Sequence, residues 1–235
     1  NTGMKKTLIL SLAAAALFQA TAFAAQFTDI HGHWAEVSIN ALAERGILNG
    51  ITETEFQPEG NVTRAQYLKM IMEATGIEPG TVREGECLDA DGRDWYAPYL
   101  QAALDVGIIP ENMITGYRAD VEYEVDDNGT ATSSKVVYQG AFNGDLPITR
   151  EEMAVLTQFC YQYTRTVVTD SRKEVDLAIA EGFTDSDSIS DWAKASVSQA
   201  VSNRFIEGMD DGSFKPKENA TRAQAAMIVH RVLNS

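Results

Sequence analysis

Basic residues are scarce in this chain, cysteine and histidine scarcer, and long apolar runs absent. Nineteen Lys and Arg face 34 Asp and Glu across 235 residues, which excludes a nucleic-acid partner, because neutralising phosphates needs a basic face. The longest apolar stretch, Leu8 to Leu17, is ten residues, about half of what a membrane-spanning helix needs. Two cysteines cannot build a disulfide framework. Three histidines, with only His31 and His33 close together beside Asp29, give no metal-ligand set, and that segment reads as a surface turn. Carboxylates abound, yet no pair sits in an apolar setting that would raise one pKa for acid–base work, so no catalytic residues are assigned and a non-enzyme is expected.

What the chain does have begins with an export signal. After Asn1-Thr2-Gly3, read as a scar or upstream translation, come Met4-Lys5-Lys6, the ten-residue apolar core and Ala22-Phe23-Ala24, so residues 1–24 read as a secretory leader. Its removal leaves 17 basic against 34 acidic side chains. The mature product is expected to be secreted and to have no transmembrane segment; its acid excess serves solubility.

The second feature is a tetrapeptide present three times: Thr63-Arg64-Ala65-Gln66, Thr149-Arg150-Glu151-Glu152 and Thr221-Arg222-Ala223-Gln224. Each has capping-box form, with Thr at N-cap and Gln or Glu at N3, so three helices start alike. Arg at the first helical position stands against the helix dipole. The reading that accounts for three such arginines is a paired device, free backbone N–H groups and a guanidinium converging on an anion.

Repetition extends beyond the box. Trp34 precedes Arg64 by thirty residues and Trp192 precedes Arg222 by thirty, and between them Gly50 matches Gly208 and Phe56-Gln57-Pro58 matches Phe214-Lys215-Pro216. A middle copy starts at Trp95 and reaches Arg150 after 55, so it carries 25 extra residues; Pro110 lies near the position of the loop glycine. Copy three has Arg204 where copy one has Gly46. Phe27-Thr28-Asp29, Cys87-Leu88-Asp89 and Phe183-Thr184-Asp185 stand upstream. Ala35, Ile39 and Leu42 fall on one helical stripe before Gly46, then a loop leads to the capped helix with Leu68, Ile71 and Met72. Each unit is helix, loop, helix, too small to fold alone, so neighbours must pack together.

This combination of Phe-Thr-Asp, Trp-Ala, Gly-x5-Phe-x-Pro and Thr-Arg-Ala-Gln resembles the S-layer homology (SLH) module in three copies. The resemblance implies an all-α fold with three modules in a pseudo-threefold arrangement around a central helix bundle: 25–77, 78–164 and 183–235, with a linker at 165–182. It implies a cell-wall or S-layer location and grooves between modules that bind pyruvylated secondary cell-wall polysaccharide, with no cofactor. Carried onto this sequence, the glycan-binding set is Arg64, Arg150 and Arg222 as carboxylate partners, Trp34, Trp95 and Trp192 as groove walls, Asp29, Asp89 and Asp185 toward sugar hydroxyls, and the loop glycines Gly50 and Gly208. From the residues alone, each Trp could equally be core and each Asp a helix cap. Unequal grooves are expected, with Arg64 and Arg222 mattering more than Arg150.

Residues 117–141 change period: Val121, Tyr123 and Val125 alternate with Glu122 and Glu124, then Asn128-Gly129 precedes Val136-Val137-Tyr138. That predicts a β-hairpin, either a tolerated elaboration or a docking element for another surface protein. With it comes an alternative function, a surface adaptor or S-layer structural subunit with degenerate grooves. Cys87 and Cys160 align with apolar positions of the sister units. They read as buried thiols or, if the start of a unit packs on the end of its second helix, as a disulfide within reach.

Overall fold

In chain order the helices are α1 (Glu36–Glu44), α2 (Arg64–Thr75), α3 (Ala97–Asp105), α4 (Arg150–Thr164), the single turn α5 (Ala178–Glu181), α6 (Asp191–Ser202) and α7 (Arg222–Leu233). Strands β1 (Thr115–Val125) and β2 (Ala131–Ala141) lie between α3 and α4. The computed structural model describes residues 27–165 and 176–235. The expected leader and residues 166–175 of the expected linker lie outside them, and α5 occupies the linker's end.

Thr63, Thr149 and Thr221 begin α2, α4 and α7 with nearly the same backbone, φ of −82°, −82° and −83° and ψ of 161°, 162° and 159°. Each Thr hydroxyl accepts from the N3 backbone N–H, and the N3 side chain accepts from the Thr N–H, completing three capping boxes. Identical starts put three equivalent helices in equivalent frames.

These helices meet one another pairwise. Beside them, α1 packs on α7, α3 on α2 and α6 on α4. The first helix of each unit therefore lies against the second helix of the unit before it, and the contacts run round a closed cycle. Backbone bonds close the same cycle: Val62 N–H donates to Ala220 C=O, Ala220 N–H to Ile148 C=O, and Ile148 N–H to Val62 C=O, at 3.1, 2.9 and 3.0 Å. Inside, Leu68, Ile71, Met153, Leu156, Val229 and the ring of Tyr67 are buried. The Tyr67 hydroxyl lies 2.6 Å from the Thr157 hydroxyl, which donates to Met153 C=O. Burial pushes the Tyr67 hydroxyl pKa up, so the pair is a neutral polar contact.

Cys87 and Cys160 are both buried, and both are free thiols; of the two readings the structure has the buried thiols and not the disulfide. The Cys87 thiol lies 3.5 Å from Ala97 C=O. Burial raises its pKa to about 11 and raises that of Cys160 as well, so both behave as small inert hydrophobes.

The hairpin pairs β1 and β2 antiparallel, with Val121 opposite Val136 and Ala119 opposite Tyr138. It begins two residues before the predicted segment, and its tip is a five-residue loop closed by Asp126, whose carboxylate accepts from the N–H groups of Asn128 and Thr130. Val137 is buried, and Lys135 pairs with Glu86, which also pairs with Arg83. Arg83 in turn bonds Asp105 on α3 at 2.6 Å. One face is thereby held to the body, while Val121, Tyr123 and Val125 remain exposed.

Candidate functional site

The repeat motifs converge where one unit's loop meets another unit's helix start. In unit 1, the Asp29 carboxylate accepts from Phe56 N–H (2.9 Å) and Gln57 N–H (2.6 Å). Gln57 is left-handed at φ 58°, a costly conformation for a residue with a Cβ, held here by the carboxylate. Asp89 does the same for Phe142 and Asn143, and Asp185 for Phe214 and Lys215, again with the second residue at φ near 57°. Burial acts to raise the Asp29 pKa, but the two N–H groups outweigh it and hold the carboxyl below its usual range. The Asp residues are therefore loop clamps. They cap none of α1, α3 and α6, which have no side-chain cap; each carboxylate oxygen takes a backbone N–H and keeps a second lone pair, and Asp29 and Asp89 are exposed.

The clamped Phe presents its carbonyl to an arginine from another unit. Arg222 Nε donates to Phe56 C=O and its Nη2 to Asn49 C=O, both at 2.8 Å, with the guanidinium 4.4 Å above the Phe56 ring. Arg150 reaches Phe214 C=O and Glu207 C=O in the same manner, and Arg64 reaches Phe142 C=O and Met113 C=O. All three arginines are 4–7% exposed. The arginine of unit 1 thus serves the loop of unit 2, that of unit 2 the loop of unit 3, and that of unit 3 the loop of unit 1. The groove with the insertion contains Arg64, so the expected ranking by Arg64 and Arg222 over Arg150 assigned each arginine to the wrong groove.

Nor are the helix-start N–H groups free. Arg64 N–H donates to Leu146 C=O and Ala65 N–H to Gly144 C=O; Arg150 and Glu151 use Glu218 and Pro216, and Arg222 and Ala223 use Gly60 and Pro58. With N3 held by its Thr, every donor of the first turn is satisfied by protein. The anion device built from free helix N–H groups is corrected to a junction in which those groups and two guanidinium nitrogens hold two units together.

What remains open differs among the junctions. Nη1 of Arg150 and of Arg222 has no hydrogen-bond partner among the described residues, and no buried side-chain nitrogen or oxygen there lacks a partner. Both Nη1 groups therefore reach solvent. Burial lowers the pKa of Arg222 and takes that of Arg150 down to about 10, against the opposing pull of Asp29 on the first and of Glu218 and Asp185 on the second. Each is a buried cation with incomplete charge compensation.

Around Arg222 lies a cavity of about 230 Å³ lined by Asn49, Gly50, Phe56, Gln66, Lys69 and Trp95 among others. Of the predicted residues it brings together Gly50, Trp95 and Arg222, one from each unit. Trp95 is 53% exposed and Trp34 57%, whereas Trp192 is half-buried against the core. A Cβ on Gly50 would lie 2.4 Å from the Phe27 ring and 2.4 Å from Thr52 C=O; on Gly208 it would lie 2.5 Å from the Phe183 ring. Both positions require glycine for close packing. The N–H groups of Gly50 and Gly208 have no protein acceptor among the described residues; each belongs to the trans peptide whose carbonyl, of Asn49 or Glu207, accepts from the arginine Nη2, and so points to the opposite side of that peptide. Lys69, which the sequence reading missed, ties to Glu73 at 2.8 Å and adds a second cation to this groove.

The middle junction has neither opening. Arg64 Nη1 donates to Glu152 Oε1 at 2.6 Å, and the other oxygen of Glu152 accepts from Thr149 N–H. Met113 C=O fills the role of Asn49 and Glu207 C=O, so the residue equivalent to Gly50 is Ile114 and not, as expected, the neighbourhood of Pro110. Ile114 N–H is bonded to Glu111 C=O, and its side chain lies against Gly140 at the end of β2. The pair Phe27 and Gly50, or Phe183 and Gly208, is replaced by Cys87 and Ile114, a reciprocal change in size.

Residues 26–68 and 182–226 match the family model described as "S-layer homology domain". The chain is an SLH domain protein through these two stretches. It is 33% identical over 207 residues to an amylopullulanase of Thermoanaerobacterium thermosulfurigenes, covering 88% of this chain and 9% of that protein, and 34% identical over 207 residues to exoglucanase XynX of Acetivibrio thermocellus, covering 88% and 16%. It is also 24% identical over 225 residues to an S-layer protein of Bacillus thuringiensis subsp. finitimus, covering 95% and 23%. The chain spans less than a quarter of the length of each of these relatives. The S-layer likeness places it with secreted, cell-wall-associated surface proteins, and no helix among the described residues is long and apolar enough to cross a membrane.

Proposed function

We propose that this chain attaches non-covalently to the cell wall by binding an acidic wall polysaccharide, one bearing pyruvate ketals, in grooves between three SLH modules, the middle unit being the third. The closed cycle of helix contacts supports reading the modules as a pseudo-threefold set around α2, α4 and α7. The observation that carries the reading is the groove at Arg222. It offers an open guanidinium edge, the nearby Lys69 and an exposed indole from Trp95. A ketal carboxylate matches the open guanidinium edge with the Lys69 ammonium nearby, and the flat ring suits the apolar face of a pyranose. Local charge decides this in spite of the acidic net charge, because screening confines surface electrostatics to about 8–10 Å. No step of bond making is assigned to the chain, and binding is its role.

The test is sedimentation with purified wall polymer before and after mild-acid removal of the ketals. Binding should fall at least tenfold on depyruvylation, and Trp95→Ala, whose ring is largely outside the core, should weaken binding while leaving Tm within about 2 °C, as for other exposed side chains. Equal binding to both polymers would refute the reading and favour a second one, a surface-protein adaptor. That alternative is supported by the exposed Val121, Tyr123 and Val125 on the hairpin.

A further inference from the structure

The geometry points to Glu152 as a built-in anion that occupies the middle groove, leaving the chain with two binding grooves for acidic ligand, those at Arg150 and Arg222. This rests on the proposed reading of the grooves as carboxylate sites. In two junctions the N3 residue of the neighbouring helix is a neutral amide, Gln66 or Gln224, and the arginine edge stays open. In the third it is Glu152, whose carboxylate sits 2.6 Å from Arg64 Nη1, with the two side chains 19% and 7% exposed. One Glu oxygen completes the capping box and the other takes the position that a ligand carboxylate would need. The loops differ as well, since Ile114 N–H is bonded to Glu111 C=O whereas the N–H groups of Gly50 and Gly208 have no protein acceptor among the described residues. A ligand anion would have to displace an internal carboxylate that is already tethered and largely desolvated. The 25-residue insertion is not needed for this exclusion; the charge at one position suffices.

Glu152→Gln tests it, because Gln closes the same capping box at Gln66 and Gln224 and so preserves the fold. The probes are a methyl hexopyranoside carrying a 4,6-pyruvate ketal, its methyl ester as the uncharged control, and sodium pyruvate as a bare carboxylate, followed by guanidinium NMR of the three arginines in the 25–235 chain. Arg150 and Arg222 signals should move with the acid probes and not with the ester, while Arg64 should stay fixed in the parent chain and respond in Glu152→Gln. Arg64 moving in the parent alongside Arg150 and Arg222, or staying fixed in Glu152→Gln while the other two respond, would overturn the inference. Response to pyruvate without response to the ketal sugar would instead overturn the glycan reading and leave the role of Glu152 standing. If no arginine responds to any probe, both are overturned.

Discussion

The outer junctions and the middle one share a scaffold and differ in what they expose. All three use an Asp clamp, a left-handed residue after Phe, a Phe carbonyl under a neighbour's arginine and a Thr capping box. The groups facing outward do not follow this regularity: two grooves keep glycine, a free N–H and an unpaired Nη1, and one has Ile114 and Glu152 instead. The comparison teaches that the motif Thr-Arg specifies assembly first. A unit can lose these outward-facing groups and still close the cycle, because the bonds that hold units together run from helix-start amides and the arginine Nε and Nη2 to backbone carbonyls, which such changes leave in place.

The largest effect should come from breaking the shared scaffold. Arg222→Ala removes two charge-assisted bonds and leaves Phe56 and Asn49 carbonyls without their donor at a buried junction. We expect a loss of about 3 kcal/mol, or on the order of 10 °C in Tm, and a similar loss for Arg150→Ala. Arg→Lys should not rescue, since an ammonium cannot span two carbonyls as the planar fork does. Calorimetry showing unchanged Tm for Arg222→Ala would mean that the arginine is free for ligand alone and that the scaffold reading is wrong.

A smaller effect should separate the glycine junctions from the isoleucine one. Gly208→Ala places its Cβ 2.5 Å from the Phe183 ring and 3.0 Å from Ser213 C=O. A cost of about 1–3 kcal/mol is expected. Phe183→Cys, which copies the pairing in the middle unit, should relieve part of it, giving a favourable coupling of about 1 kcal/mol in a double-mutant cycle. At Gly50 the carbonyls of Thr52 and Glu55 stand at 2.4 and 2.6 Å, so Phe27→Cys should give little relief there. Equal relief at both positions would show that the carbonyls around Gly50 do not set the cost there, and no coupling at Gly208 would show that the Phe183 ring is not the controlling neighbour.

Much of this was legible in the sequence, and the illegible part has one cause. The capping boxes, the helix stripes and the change of period at the hairpin are local, and local residues report them. Which unit an arginine serves is not local. Nothing in Thr63-Arg64-Ala65-Gln66 states that Arg64 reaches Phe142 and Met113 rather than its own loop, and once that exchange is missed, each arginine is assigned to the wrong groove. The alternation of Gln66, Glu152 and Gln224 was visible, but its meaning depends on Arg64 facing it across the junction. Ile114 was hidden by a length difference upstream of the hairpin, which moved the glycine position four residues beyond Pro110.

The smallest effect tests a departure in unit 3. Gly46 and Gly107 end the first helices of units 1 and 2 with φ of 70° and 73°, and Arg204 occupies the equivalent position with φ 61°. An L-residue there pays roughly 1–2 kcal/mol, of which the greater freedom of glycine in the unfolded chain returns only part. Arg204→Gly should therefore stabilise by about 0.5 kcal/mol. The Arg204 side chain is exposed and makes no hydrogen bond or ion pair among the described residues, so the substitution removes strain without removing a contact. Urea unfolding at matched m-value would detect the shift in midpoint. A loss of stability would indicate that Arg204 holds a contact that the folded chain needs, and that unit 3 ends its first helix differently from its sisters.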